Sequence, residues 1–162
     1  MKNSDLENAF IHLVKQNERV IYKVCSFYVS EESPMADLYQ EVVCNLWSAY
    51  PKFRGESAFS TWIYRIALNT CISGMRKAKR RPQSTPIAEL QDVLASPEDM
   101  SDDIKEMYRL IYQLKVLDRA IVLLWLEEKS YQEIADVAGL AVNNVATRLK
   151  RAKDKLKQMS EE

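Results

Sequence analysis

The side chains with the most explicit chemistry lie near the end of the chain. Asn143, Asn144, Thr147, Arg148, Lys150 and Arg151, followed by Lys153 and Lys155, fall on one face of a helical repeat whose other face is Val142, Val145, Leu149, Ala152 and Leu156. Amides and a guanidinium near a helix start can read base edges: Asn pairs bidentately with adenine and Arg with guanine, each worth roughly 1–3 kcal/mol of discrimination. A second group mixes aromatic rings with cations: Arg54, Phe59, Trp62, Tyr64 and Arg65, with Ser60, Thr61 and Asn69 among them and Arg76, Lys77 and Arg80 beyond. Rings beside cations hold single-stranded nucleic acid, at about 1–3 kcal/mol per stacked base. An aromatic stripe at helical spacing is more often the mark of a core, and Trp62, with Ile63 and Ile66, fits that description.

Other chemistries lack their residues. His12 is the sole histidine, and Cys25, Cys44 and Cys71 are widely spaced with no C-x-x-C pairing, so neither a metal site nor a cofactor is expected. No nucleophile motif or glycine-rich phosphate loop is present, which argues against an enzyme and against a small-molecule substrate. No apolar run approaches the ~20 residues of a membrane span, and the start of the chain has no signal-peptide pattern, so a soluble, cytoplasmic protein is expected.

The elements that must position these side chains read as helices. Ser130-Tyr131-Gln132-Glu133 is a capping box, Gly139 follows at a helix-ending turn, and the longer helix with the amides comes next. Short helix, glycine turn and long helix make a helix-turn-helix, whose second helix enters the major groove. Ile104, Met107, Tyr108, Ile111 and Leu114 share one helical face ahead of it. Toward the N-terminus, residues 5–29 carry one stripe (Leu6, Phe10, Leu13, Val14, Ile21, Val24, Tyr28) and predict a single helix. Pro34 predicts the first position of a second helix running to Tyr50, with Leu38, Val42, Leu46 and Trp47 inward and Asp37, Gln40, Glu41 and Asn45 on another face. A third runs from the loop after Gly55 to about Arg80. Residues 82–103, with three prolines and an acidic run, read as a flexible linker that could extend over about 70 Å. The expected fold is all-α: two small helical domains, 1–81 and 104–162, joined by that linker.

The formal charge of zero conceals a division. Residues 1–81 carry +4, residues 82–106 carry −6 and residues 107–162 carry +2. The basic patches are too small for tight binding to phosphates by the isolated chain.

Several of these stretches together resemble one family. Ser130-Tyr131-Gln132-Glu133-Ile134-Ala135, Gly139-Leu140, Val145 and Arg148-Leu149 are similar to the C-terminal DNA-binding region of the extracytoplasmic-function sigma factors of bacterial RNA polymerase. Asp37-Leu38-Tyr39-Gln40-Glu41 with Leu46-Trp47 resembles sigma region 2.2, and the run from Phe53 through Arg65 to Asn69 resembles regions 2.3 and 2.4. The resemblance implies a subunit that docks on core polymerase, on the clamp helices of β′ through Asp37, Gln40, Glu41 and Asn45 and on the flap of β. It implies contact with the minus-ten element of promoter DNA through Arg54, Phe59, Ser60, Thr61, Trp62, Tyr64, Arg65, Asn69, Arg76, Lys77 and Arg80. It further implies contact with the minus-thirty-five element through Asn143, Asn144, Thr147, Arg148, Lys150 and Arg151, and restraint by an anti-sigma factor, often membrane-bound. Two departures stand out. Ala141 occupies the place of a capping Ser, leaving open which Asn caps the helix and which meets a base. Leu114-Lys115 lacks the proline that usually precedes the next helix, so a less abrupt break is expected there. The alternative is a stand-alone helix-turn-helix regulator, a class that usually dimerises; no dimerisation helix is evident.

Overall fold

The computed structural model describes residues 3–78 and 101–162, with side chains described up to Gly74 in the first segment. Arg80 and most of the expected linker lie outside the described residues, as do the side chains of Arg76 and Lys77.

The described residues form eight α-helices and no strand, in two helical units ending in a helix-turn-helix. The first unit contains α1 (Asn3–Gln16), α2 (Glu18–Ser26), α3 (Met35–Ala49) and α4 (Phe59–Ala78), with a short 3-10 turn at Tyr50–Lys52. The stripe predicted as one helix over 5–29 is two. Asn17 leaves helical geometry at φ −117° and ψ 17°, and its Nδ2 donates to the Leu13 carbonyl at 2.8 Å, replacing a backbone donor at the break. Pro34 stands one place before α3 rather than at its first position: its ψ of 157° is extended, while its carbonyl accepts from Leu38 N. Gly55, at φ 73°, turns the loop between the 3-10 turn and α4 through the left-handed region.

The second unit comprises α5 (Asp102–Tyr112), α6 (Val116–Leu126), α7 (Tyr131–Ala138) and α8 (Val142–Ser160). Ser101 caps α5 by accepting from Ile104 N, so Asp102 and Asp103, read from sequence as linker, form the first turn of that helix. Their negative charges meet the positive end of the helix dipole there. The break between α5 and α6 is abrupt despite the missing proline, because Lys115 adopts φ −59°, the angle a proline would impose, with ψ 153°. Arg119 Nε, donating to the Leu114 carbonyl at 3.0 Å, holds the turn from the next helix.

Helices α2, α3 and α4 bury Ile21, Val24, Leu38, Val42, Leu46, Ile63 and Leu68; α6, α7 and α8 bury Ile121, Leu124, Ile134, Val145 and Leu149. These sets belong to one continuous apolar cluster. The seam between the units is tied by polar bonds. Tyr28 OH donates to the Val116 carbonyl (2.9 Å), Tyr112 OH to the Val29 carbonyl (2.6 Å), and Arg119 Nη1 to the Phe27 carbonyl (2.9 Å).

Candidate nucleic-acid interface

The recognition helix is set by its neighbours' local chemistry. Ser130 Oγ accepts from Glu133 N at 3.1 Å and Glu133 Oε1 accepts from Ser130 N at 3.2 Å, the reciprocal capping box expected at the start of α7. These bonds hold the Glu133 carboxyl below its ordinary range, the backbone bond at Ser130 contributing most. Gly139 ends α7 at φ 71° and ψ 35°, and its N–H donates to Ala135 O. Ala141 then opens α8 without a side-chain cap.

The two asparagines separate in role. Asn143 Oδ1 accepts from Asn144 N at 3.0 Å, engaging one of the unpaired donors at the helix start. Asn144 is exposed, and no side-chain hydrogen bond engages its amide among the described residues, leaving that group available to a base edge. Thr147 Oγ1 donates back to the Asn143 carbonyl at 3.0 Å, while Arg148 Nη1 lies 3.3 Å from Asp118 Oδ1. A groove of about 530 Å³ between the start of α6 and this face of α8 is lined by Lys115, Asp118, Asn144, Thr147, Arg148 and Arg151 among others. Lys150 and Arg151 are exposed. Lys153 turns aside: its Nζ stands 4.6 Å from the centre of the Trp125 ring, on the α6 side.

The aromatic stretch is divided between core and surface. Trp62 packs its ring 5.1 Å from Phe53 and 5.2 Å from Phe59, centre to centre, with Tyr50 at 6.4 Å. Trp62 is buried but for a small edge, and that edge lines a hollow of about 360 Å³ with Phe53, Lys52, Arg54, Arg65, Glu56 and Ser57. Three cations around one apolar floor suit an extruded base with its phosphates. Arg54 and Asn69 are exposed and Arg65 half-buried. Thr61 and Tyr64 are buried. Tyr64 OH donates to Glu127 Oε2 at 3.2 Å, and Lys129 Nζ donates to Ser60 Oγ at 3.2 Å, so two of the residues expected to contact the minus-ten element meet the second unit.

On α3, Asp37, Gln40 and Glu41 are exposed along one surface. Asn45 differs, since its Nδ2 donates to Thr70 Oγ1 at 2.9 Å and thereby joins α3 to α4. Residues that sequence reading passed over are Lys23, Arg119, Glu127 and Lys129, all in the seam. Only Arg119 left a signal, as a cation at the head of the apolar run of α6.

Among the described residues no cluster of His, Cys, Asp or Glu could hold a metal ion, and no helix is long and apolar enough to cross a membrane.

An all-α chain with two helical units, a terminal helix-turn-helix and a separate hollow floored by aromatics belongs among multi-part DNA readers. Residues 13–81 match the family model Sigma-70 region 2, and residues 104–156 match Sigma-70, region 4. The ECF RNA polymerase sigma-E factor of Escherichia coli (strain K12) is 31% identical over an alignment covering 91% of this chain and 84% of that protein. Its counterpart in Haemophilus influenzae is 32% identical, with 91% and 85% covered. Two solved structures share the fold. The sigma factor RpoE from Bartonella quintana, solved with the anti-sigma factor NepR, superposes with a TM-score of 0.77 at 19% identity, covering 94% of this chain and 97% of that one. CnrH, solved with the cytosolic domain of CnrY, gives 0.68 at 24% identity, covering 96% and 89%. The chain belongs to the extracytoplasmic-function (ECF) sigma factors of RNA polymerase.

Proposed function

We infer that this sigma factor directs promoter-specific initiation through two separate readings of DNA. It is a promoter-specificity subunit, binding core RNA polymerase and promoter DNA. Residues 1–81 form the docking and minus-ten domain, with Asp37, Gln40 and Glu41 facing the clamp helices of β′. The cation-ringed hollow at Arg54, Trp62 and Arg65 receives an unpaired base. Residues 104–162 form the minus-thirty-five domain, in which Asn144 and Arg148 meet base edges while Lys150 and Arg151 hold phosphates, and this domain also meets the flap of β. Residues 82–103 join the two. The sigma factor acts in the cytoplasm, contributes no catalytic group, since bond formation belongs to polymerase, and is held in check by an anti-sigma factor.

The observation that carries this reading is the pair of nucleic-acid faces of different kind on one chain: a free Asn144 amide beside Arg148 on α8, and the aromatic-floored hollow before α4. A stand-alone helix-turn-helix regulator would have no use for the second. The test is transcription from fragmented genomic DNA by sigma-free core polymerase, with and without the protein, mapping 5′ ends. Starts that need the protein and share two spaced upstream motifs are expected; specific duplex binding without any new start would point to the regulator instead.

A further inference from the structure

The groove between the start of α6 and the reading face of α8 contains one group that does not suit it. Lys115, Arg148, Arg151 and Lys155 give its wall four cations, as a surface for phosphates requires, and Asp118 is the single carboxylate among its lining residues. A negative charge there repels any phosphate that approaches, and so lowers affinity for duplex of every sequence.

Local structure accounts for part of its presence. Asp118 lies in the first turn of α6, where a carboxylate meets the positive end of the helix dipole. That does not account for its direction. Its Oδ1 stands 3.3 Å from Arg148 Nη1, on a residue 30 positions further along, and its side chain is 21% exposed against 41% for Arg148. Val145, Leu149 and Ala152 are buried and fix the turns of α8 that bear Arg148, so the two charged groups meet from elements already held in place. An ion pair this exposed adds little to stability. Its consequence lies with the guanidinium.

A guanidinium presents five N–H donors in one plane. With a hydrogen of Nη1 engaged by Asp118, the edge formed by Nε and Nη2 is still available, and two parallel donors are what O6 and N7 of a guanine accept. An untethered arginine at the same place would turn to the nearest phosphate, a contact that carries no sequence information. Asp118 opposes that turn in two ways: it fixes the guanidinium plane, and its charge keeps phosphate oxygens away from the same nitrogen.

We propose that Asp118 is a positioning and specificity-determining residue for the upstream element: it holds Arg148 by one nitrogen so that the remaining edge meets a base rather than a phosphate, and it exchanges general affinity for discrimination. This rests on the assignment of Arg148 to a base edge made above.

The test uses the full-length chain with sigma-free core polymerase on promoters randomised across the upstream element, and reads the sequences that initiate. Arg148→Ala first identifies the base position that this residue reads. There Asp118→Ala should lower preference roughly threefold to tenfold, part of the about 5- to 150-fold that a bidentate base contact provides. Other positions should keep their preference, and initiation from promoters with a scrambled upstream element should hold or rise. Asp118→Asn has nearly the same shape and keeps an acceptor without the charge; it should fall between parent and Asp118→Ala at a parental melting temperature, so the result stands even if Asp118→Ala loosens α6. In chains already carrying Arg148→Ala, Asp118→Ala should add nothing, because it acts through that residue. Parental preference at the Arg148 position in the folded Asp118 variants overturns the proposal. So does an equal loss at every position or on scrambled promoters, which marks a support of the fold alone, or a further loss in the Arg148→Ala background. If Arg148→Ala alters no position, its base contact fails and the proposal with it; if the parent chain yields no starts of its own, the sigma reading fails first.

Discussion

Arg119 Nη1 donates to the carbonyl of Phe27 at 2.9 Å, joining residues 92 positions apart and tying α6 to the end of α2. The turn after α2 exposes carbonyls to the seam, and a guanidinium presents several donors in a fixed plane. One side chain can thus bridge Phe27 and Leu114 while its faces rest on Tyr28 and Tyr112. Burial lowers its proton affinity, and the nearby tyrosines act in the opposite sense.

Replacing this residue is expected to weaken the whole fold. Arg119→Ala leaves the Phe27 and Leu114 carbonyls without their buried donor, a loss of about 2–6 kcal/mol at about 1–3 kcal/mol per unsatisfied group. Arg119→Lys should recover little of it, because an ammonium cannot span both carbonyls in one plane. Urea denaturation of the full chain measures both, and equal stability of Lys and Arg would reduce the contact to simple charge.

Local signals were legible where their physics is local. The Ser130–Glu133 capping box and Gly139 depend on residues three or four positions apart, so their spacing alone announced the helix-turn-helix. The break at Asn17 was hidden because the apolar stripe runs through it without changing register. The seam was illegible for a stronger reason: Lys23 with Glu127, and Tyr28 with Val116, are 104 and 88 positions apart, and no periodicity encodes which polar groups will meet across such distances. Tyr64 illustrates the consequence. Its place beside Arg65 reads as a nucleic-acid contact, while the folded chain buries it against Glu127.

The asparagines should separate by experiment as they do in geometry. Asn144→Ala should reduce preference for the upstream element by roughly 1–3 kcal/mol, the worth of one bidentate base contact. Asn143→Ala removes the acceptor for Asn144 N and should lower stability by about 0.5–1 kcal/mol with promoter preference retained. Initiation from promoters randomised in the upstream element, read beside thermal melting, distinguishes the two; the reverse pattern would exchange their roles.

Tyr28 and Tyr64 carry a pH prediction. Burial raises both phenols above the ordinary tyrosine range, and the Glu127 carboxylate raises Tyr64 further. A raised pKa means that the folded state favours the proton, so this contribution is complete below the unfolded value of about 10 and is lost as pH climbs through the folded value. Absorbance of the ionised phenol should show part of the signal of the eight tyrosines, that of Tyr28 and Tyr64 included, appearing only as helical signal disappears. Titration of all eight before any loss of helix contradicts this. Tyr64→Phe should make the alkaline loss shallower.

The proposed docking face allows a charge reversal with little structural cost. Asp37 and Glu41 are exposed on α3, away from Leu38 and Val42, so Asp37→Arg or Glu41→Arg should change melting only slightly. Co-purification with core polymerase should nevertheless fall sharply, because the proposed docking surface loses a carboxylate and gains a cation. Undiminished recovery would move the docking surface elsewhere on the first unit.

Trp62 and Arg54 share one hollow but should fail differently. Trp62 supports Phe53, Phe59 and Tyr50, so Trp62→Ala removes the floor of the aromatic cluster and should cost about 3–5 kcal/mol of stability. Arg54 is exposed and supports nothing comparable, and Arg54→Ala should leave melting within about 0.5 kcal/mol of the parent. On the proposed reading its effect belongs to strand opening, where a cation at the rim of the hollow would attract the phosphate beside an extruded base. Permanganate reactivity of unpaired thymines in polymerase–promoter complexes reads that step directly. Arg54→Ala should lower it at unchanged polymerase binding, and the deficit should shrink on a template already mismatched at the minus-ten element. A deficit equally large on the mismatched template would place Arg54 in duplex binding rather than in holding the opened strand.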